Sequence, residues 1–296
     1  MIGISPRLIL RFFSIVLTVA LLILPASCAK EVGAAGKIGV VVTILPQAEF
    51  VESIGGERVD VVVMVPPGAS PHTYEPLPSQ MTALSAAVMY AKVGSGVDFE
   101  LVWMDKLISI NKDILVTDCS QGVEMRDNTG DSEHGLLDPH IWMSPLRAGM
   151  MVQNICNGLV QVDSDGRAYY EQNRDAYLKK LAQLDNDIRA GLTGVRSRTI
   201  MVYHPAFGYL AEDYGLNLLS VEEEGKEPTS VGLARLIELA EEHGIKAIFI
   251  SPQDNPQSAR VIADAIGGRL VFVDTLARDY IMNMRILLDE MVEALE

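Results

Sequence analysis

The chain has 296 residues, 49% of them hydrophobic and 21% charged, which is enough for one large domain or two medium ones with a substantial core. This composition is not that of a disordered chain. Acidic residues outnumber basic ones by 39 to 24, which gives a formal net charge of -15 at pH 7. Such an acidic chain argues against nucleic acid as a partner, because contact with phosphates requires a basic face.

The first 28 residues have the layout of a secretory signal peptide. Arg7 and Arg11 precede an uncharged run from Phe12 to Leu24, and small residues before Cys28 suit a cleavage site. The run is too short to span a membrane readily as a helix, which favours a cleaved signal peptide. An uncleaved N-terminal anchor is the alternative. In either case the rest of the chain leaves the cytoplasm.

Cys28 ends the sequence Leu-Pro-Ala-Ser-Cys, which resembles the lipobox of bacterial lipoproteins, although the leucine lies one place further upstream than usual. The resemblance implies that Cys28 becomes the lipidated first residue of the mature protein; simple cleavage is the alternative. A lipid on one cysteine would tether the protein without making it span the membrane. We therefore expect an extracytoplasmic protein, either lipid-anchored to the outer face of the cytoplasmic membrane or periplasmic.

Beyond the signal, short β-rich runs alternate with helical stretches. The predicted strands form two sets: Ile38–Leu45, Val59–Val65, Val88–Val93 and Ile114–Asp118, then Thr199–Tyr203, Asn217–Val221, Ala247–Ile250 and Leu270–Val273. Predicted helices include Ser79–Ala87, Leu233–Glu242 and Ala259–Ile266. Near-continuous apolar strands separated by helices are typical of parallel sheets covered on both faces. The sequence predicts an α/β fold with two lobes, each a four-stranded, mainly parallel sheet with flanking helices.

A long helix is predicted between the two sets of strands, from about Ser164 to Leu192. Apolar or aromatic residues recur there at the spacing of one helical face, and no proline interrupts them. Asp163 or Ser164 offers an N-cap, and Gly191 marks the end. We predict a signal peptide over residues 1–28, an N-terminal lobe over 29–163, a linker helix over 164–194 and a C-terminal lobe over 195–296.

Two cysteines remain after Cys28, namely Cys119 and Cys156. In an oxidising compartment they could form a disulfide. Two cysteines without a framework do not decide the matter, and buried free thiols are the alternative.

Three of the five histidines lie in proline-containing segments. His72 is in Pro-His-Thr-Tyr-Glu-Pro at 71–76, His140 in Asp-Pro-His-Ile-Trp at 138–142, and His204 in His-Pro-Ala-Phe-Gly-Tyr at 204–209. A neighbouring proline restricts the backbone and lowers the cost of ordering a preformed site. His72 and His204 also follow predicted strands, where open α/β sheets place their ligands.

Asp274 is a fourth candidate, because it directly follows the predicted strand Leu270–Val273. Three neutral imidazoles and one carboxylate suit a divalent first-row metal, with zinc taking a tetrahedron and manganese accepting a bidentate carboxylate. Spacing along the chain does not show that the four residues meet in space. Ordinary polar loop residues are therefore the alternative.

The histidine segments, in this order and spacing, resemble those of the zinc- and manganese-binding receptors of ABC importers, a family that includes lipoproteins described as adhesins. Tyr-Gly-Leu at 214–216, Glu-Pro at 227–228 and Arg-Asp-Tyr at 278–280 extend the match over essentially the whole mature chain. The resemblance implies two α/β lobes joined by one long backbone helix, with the metal in the cleft between them. It also implies that His72 and His140 bind the metal from the first lobe, and His204 and Asp274 from the second.

Within this family, a histidine at the position of His204 favours Zn²⁺, with Mn²⁺ as the alternative. The chain departs from the family pattern in three places. It has Asp-Thr-Leu at 274–276 where Asp-Pro-Leu is frequent, and Ser251 where a glutamate is common. The stretch before His140 has one histidine, His134, where many zinc receptors have a histidine-rich loop, so we expect a solvated surface loop there.

The function implied by the resemblance is capture of one divalent metal ion and its delivery to an ABC permease. The expected protein is a monomer that meets the membrane only through its lipid anchor. A secreted zinc metallohydrolase using the same histidines is the alternative from another class; it needs a general base, for which Glu75 is the candidate. No His-Glu-x-x-His helix or other hydrolase motif supports it. A surface adhesin-type lipoprotein is the third alternative.

Two more residues have open roles at this stage. Trp142 is either a packing residue or a wall of the site beside His140. Glu75 is either a carboxylate that orients one of the imidazoles, or a helix cap or surface residue.

Overall fold

The computed structural model describes residues 36–127, 137–222 and 226–296. The predicted signal peptide, Cys28 and His134 lie outside these residues. Within the described ranges, no helix is both long and apolar enough to cross a membrane.

The first lobe is built on a four-stranded sheet in the order β2-β1-β3-β4. Its strands are β1 (Ile38–Val42), β2 (Val59–Val63), β3 (Met89–Lys92) and β4 (Leu115–Asp118), and all three pairings are parallel. Its helices are α1 (Leu45–Gly55), α2 (Pro78–Ala86), α3 (Asp98–Ile110) and α4 (Pro145–Val162). The side chains of Val40, Val41 and Val42 are fully buried, as expected for a strand covered on both faces.

The second lobe repeats this arrangement, with the strand order β6-β5-β7-β8. Its strands are β5 (Thr199–Val202), β6 (Asn217–Ser220), β7 (Ala247–Ile250) and β8 (Arg269–Phe272), again all parallel. Its helices are α6 (Gly208–Tyr214), α7 (Ser230–Glu242), α8 (Gln257–Ile266) and α9 (Tyr280–Leu295). The two four-stranded parallel sheets confirm the fold class predicted from the sequence.

The predicted long helix is also present, as α5 (Arg167–Gly191), and at 1.5 Å per residue it is roughly 40 Å long. It packs against α1 and α4 of the first lobe and against α9 of the second. The residues that it buries are Tyr170, Tyr177, Leu181, Leu184 and Ile188, which follow the predicted helical face.

The predicted N-cap of this helix is wrong. A short 3-10 turn, Ser164–Gly166, precedes α5, and Gly166 occupies the N-cap position without a side-chain hydrogen bond. Instead of capping the helix, Asp163 accepts hydrogen bonds from Arg58 and Tyr170. The Asp163 carboxylate therefore binds the side chain of Arg58 in the same lobe instead of the first backbone N–H groups of α5.

Side-chain contacts join the first lobe to the long helix and to the second lobe. Tyr177 on the long helix donates to Glu49, and the same carboxylate accepts a hydrogen bond from the backbone N–H of Tyr280 in the second lobe. Arg147 forms an ion pair with Asp213 across the lobes.

Cys119 and Cys156 are buried free thiols, so the disulfide alternative is not realised.

Candidate metal centre

The three histidines singled out in the sequence all lie beyond the carboxyl ends of parallel strands. His72 is in the loop after β2, and His204 lies two residues after β5. His140 lies between β4 and α4 and directly precedes a 3-10 turn, Ile141–Met143. The carboxyl ends of the strands in an open α/β sheet are the usual place for a ligand.

The structure brings these histidines together from both lobes. One ring nitrogen of each of His72, His140 and His204 lies within 4.8 Å of the corresponding nitrogens of the other two. The Nε2 atoms of His140 and His204 are 3.2 Å apart. Two imidazole nitrogens bound to one tetrahedral zinc at 2.0–2.1 Å would be about 3.3 Å apart. The spacing of this pair therefore suits a zinc ion.

Each of the three imidazoles has a carboxylate partner on its Nδ1 atom. The Nδ1 of His72 is 2.6 Å from Asp98 Oδ2, that of His140 is 2.8 Å from Asp138 Oδ1, and that of His204 is 3.2 Å from Glu222 Oε2. A carboxylate at Nδ1 fixes the tautomer in which Nδ1–H donates and Nε2 keeps its lone pair. All three rings are thereby prepared to bind a metal through Nε2.

This arrangement favours a cation between the imidazoles. If both His140 and His204 donate from Nδ1, two Nε2 lone pairs face each other at 3.2 Å. Neither nitrogen then has a proton with which to hydrogen-bond the other. A metal ion between them would satisfy both lone pairs.

His140 is the most enclosed of the three histidines, with 7% of its surface exposed. Burial lowers its pKa below the usual histidine value, and the nearby imidazoles of His204 and His72 lower it further, against the opposing effect of Asp138. Both effects favour the neutral, metal-binding form.

Asp138, the partner of His140, is itself fully buried and is neutralised by Arg126, whose Nη1 lies 2.8 Å from Asp138 Oδ2. The second lobe closes over this pair at Gly208. A Cβ at Gly208 would lie 1.7 Å from the guanidinium of Arg126 and 2.2 Å from the Asp138 carboxylate. A larger residue at this position would displace the ion pair, so the start of α6 is adapted to the pair that holds His140.

Asp274 is not in the group of three histidines. Its Oδ1 accepts hydrogen bonds from Gln253 Nε2 and from the backbone N–H of Leu276, each at 2.9 Å. The next residue, Thr275, accepts a hydrogen bond from the indole N–H of Trp142 at 2.8 Å. The Trp142 ring lies 5.3 Å from the ring of His140, so Trp142 is both a buried packing residue and a wall of the centre.

The carboxylates beside the imidazoles have a weak signal in the sequence. Asp138 belongs to the motif around His140, while Asp98 and Glu222 lie outside the histidine motifs. Glu222 lies just after β6, so the rule that ligands collect at strand ends could have found it. Asp98 lies 26 residues from its histidine, a separation without a sequence signal. Glu75, the carboxylate considered for this role, is exposed.

A comparison with known families decides which family this is. Residues 40–294 match the family model described as ZnuA, the periplasmic component A of the zinc-uptake complex. The chain belongs to the ZnuA family. The resemblance stated from the histidine segments is thereby confirmed.

Individual relatives agree with this assignment. The zinc-uptake protein ZnuA of Bacillus subtilis (strain 168) is 28% identical over 253 residues, which cover 81% of this chain and 79% of the relative. The structure of a zinc-bound ZnuA deletion mutant is 35% identical with a TM-score of 0.83, covering 88% of this chain and 98% of that one. Zn(II)-bound AdcA of Streptococcus pneumoniae is 25% identical with a TM-score of 0.74, covering 88% of this chain but only 58% of that chain.

Membership of the ZnuA family establishes the class of function. The family consists of metal-binding receptors for zinc uptake and not of enzymes, so the metallohydrolase alternative is set aside. Zinc is the metal that the relatives support, with manganese only as an alternative.

Proposed function

We propose that this protein captures one zinc ion between its lobes through His72, His140 and His204 and delivers it to the permease of an ABC importer. The observation that supports this most directly is the convergence of three imidazoles, with one ring nitrogen of each within 4.8 Å of the others and each Nδ1 beside a carboxylate. Imidazole nitrogens in a tetrahedral arrangement favour zinc over manganese, which prefers oxygen ligands.

Asp274 stays the predicted fourth ligand. Its backbone segment adjoins Trp142 and hence His140, and Gln253 fixes the orientation of its carboxylate. A closed shell of four ligands suits a protein that holds a metal ion without leaving a coordination position open for a substrate.

We further propose that Cys28 is lipidated and that the mature protein is a monomer attached to the outer face of the cytoplasmic membrane. The relatives include AdcA of Streptococcus pneumoniae, which is described as a zinc-binding lipoprotein. In that arrangement the chain from residue 29 to residue 296 would consist of the two lobes and the linker helix as divided above.

Competitive titration tests the metal site. Metal-free protein without residues 1–28 is titrated with zinc and with manganese against a chromophoric chelator, beside a His140→Ala variant. We expect one equivalent of zinc, not displaced by equimolar manganese. The variant should lose tight binding, because its three remaining ligands cannot close the four-ligand shell. His243→Ala is the matched control, since His243 ends α7 away from the three histidines.

The outcomes separate the parts of this proposal. No stoichiometric metal in the unaltered protein would overturn the site, and preferential manganese would overturn the choice of metal. Delivery is tested with the full chain in the cells that produce it. Removal of the protein should lower zinc accumulation at low external zinc, and His140→Ala should not restore it.

A further inference from the structure

The loop and first helical turn from Val93 to Glu100, here the 93–100 segment, contact the surroundings of two of the three histidines. At one end of the segment, the hydroxyl of Ser95 donates to the carbonyl of Pro139, the residue before His140, at 2.5 Å. At the other end, Asp98 Oδ2 is 2.6 Å from the Nδ1 of His72. A displacement of the segment would therefore move His72 and the loop of His140 together.

The segment is fastened to the sheet by Glu100, a carboxylate that is only 6% exposed. Its Oε1 accepts from the backbone N–H of Val93 at 2.6 Å and from the hydroxyl of Thr43 at 2.5 Å, and its Oε2 accepts from the N–H of Gly94 at 2.9 Å. Thr43 directly follows β1, and Val93 directly follows β3. One buried side chain thus holds the carboxyl ends of the two central strands against the start of α3.

The backbone of the 93–100 segment packs closely against the end of the sheet, which leaves little room for it to shift. Gly94 has φ of 85°, and a Cβ there would lie 1.9 Å from Asp118 Oδ1 at the end of β4. The backbone of the segment therefore rests directly on the third strand end of the same sheet edge.

We infer that Glu100, which touches neither a histidine nor the metal, is a positioning residue that fixes His72 and His140 at their metal-binding separation through Asp98 and Ser95. This inference rests on the proposed function, since it concerns the same metal. The physical reason is that a buried acceptor of three hydrogen bonds is costly to displace, because its donors would be left unsatisfied, so the segment has one position. Glu100→Gln would set an amide N–H₂ against an N–H donor in the segment and loosen it.

A mutant cycle on zinc affinity tests whether Glu100 affects metal binding and whether it does so through Ser95 and Asp98. In the otherwise unaltered protein, Glu100→Gln should weaken zinc binding roughly tenfold, the range expected when an outer partner of a ligand is lost. In the Ser95→Ala/Asp98→Ala background the same substitution should weaken binding less than about threefold, because both connections are already absent. A tenfold loss in both backgrounds would overturn the inference, since it would mean that Glu100 acts by charge or by general stability.

Two more variants keep the test independent of folding. Ser95→Ala removes only a hydroxyl and should weaken zinc binding a few-fold; unchanged affinity would contradict the connection to His140 even if Glu100→Gln does not fold. Ile54→Val truncates a fully buried side chain of α1 and should lower the unfolding temperature without changing the affinity. If the unaltered protein binds no zinc, the proposed function fails; if it binds zinc and Glu100→Gln binds equally well, only this inference fails.

Discussion

Individual side chains hold the three histidines to different degrees. His140 and its partner Asp138 are almost completely enclosed, whereas the side chains of His72 and Asp98 are 39% and 52% exposed. His204 and Glu222 lie between these extremes, at 21% and 14%. A carboxylate orients its imidazole more firmly where water does not compete for the hydrogen bond. We therefore expect the ring of His140 to keep its orientation and the ring of His72 to be the first to lose it.

The partner of His204 offers a test at the level of one residue. Replacing Glu222 by alanine removes the acceptor at Nδ1, so the ring loses both its tautomer preference and its orientation. We expect zinc affinity to fall roughly 10- to 100-fold, as is typical when such a partner is lost. Isothermal titration against a competing chelator measures this change.

Glu238→Ala is the matched control for Glu222→Ala. It removes the same charge from the same lobe, but Glu238 is exposed on α7 and pairs only with Arg235 among the described residues. Its affinity should equal that of the unaltered protein. Equal affinity for both variants would show that Glu222 does not orient His204.

The ends of strands and helices account for the positions of the functional groups. His204 and Glu222 lie two residues beyond β5 and β6, which are neighbours in the second sheet, so their side chains meet at one edge. In the first sheet, β2 leads to His72, and β3 leads to the 93–100 segment that contacts it. The parallel order of the strands is what places these side chains on the same side of each sheet.

The junction between α4 and α5 provides a test at the level of an element. Burial opposes ionisation of Asp163, but hydrogen bonds from Tyr170 and Arg58 outweigh it, so its pKa lies below the usual aspartate value. Stability from this carboxylate is therefore fully present above the unfolded-state pKa of about 4 and is lost as the pH falls through the lower folded-state pKa.

We expect metal-free Asp163→Asn to melt at a lower temperature than the unaltered protein at neutral pH, with the difference shrinking as the pH is lowered to about 3. Thermal unfolding followed by circular dichroism across this range measures the difference. Asp165→Asn is the control, because Asp165 is exposed and two residues away. A difference for Asp163→Asn that stays constant with pH would contradict the role assigned to its charge.

For the whole molecule, the proposed site would make the metal a bridge between lobes that are already in contact. The contacts at Glu49, Asp213 and Thr275 hold the lobes near their metal-binding arrangement. The long helix α5 packs on both lobes and restricts large relative motion. Binding therefore requires little rearrangement, and the energy of the metal–nitrogen bonds adds to the stability of the fold.

Removal of the metal tests this view. Zinc at about 1,000 times its dissociation constant should stabilise the protein by about 4 kcal/mol, because it binds the folded state in preference to the unfolded one. Chemical denaturation with zinc and after treatment with EDTA measures the difference. His140→Ala should show no zinc-dependent stabilisation, and a shift of the same size in that variant would place the metal elsewhere.

Hydrophobic periodicity and short motifs are local properties of the chain, so they were enough to predict the two sets of parallel strands, the long helix between them and the histidine segments. His72, His140 and His204 could be named because each lies in a compact motif of this kind. The packing of the lobes, and no local pattern, brings their nitrogens together. It also places Asp98 and Glu222 beside two of the rings and Gln253 beside the Asp274 carboxylate. These relations join residues that are many positions apart in the chain, and their distances depend on how the sheets and lobes pack together.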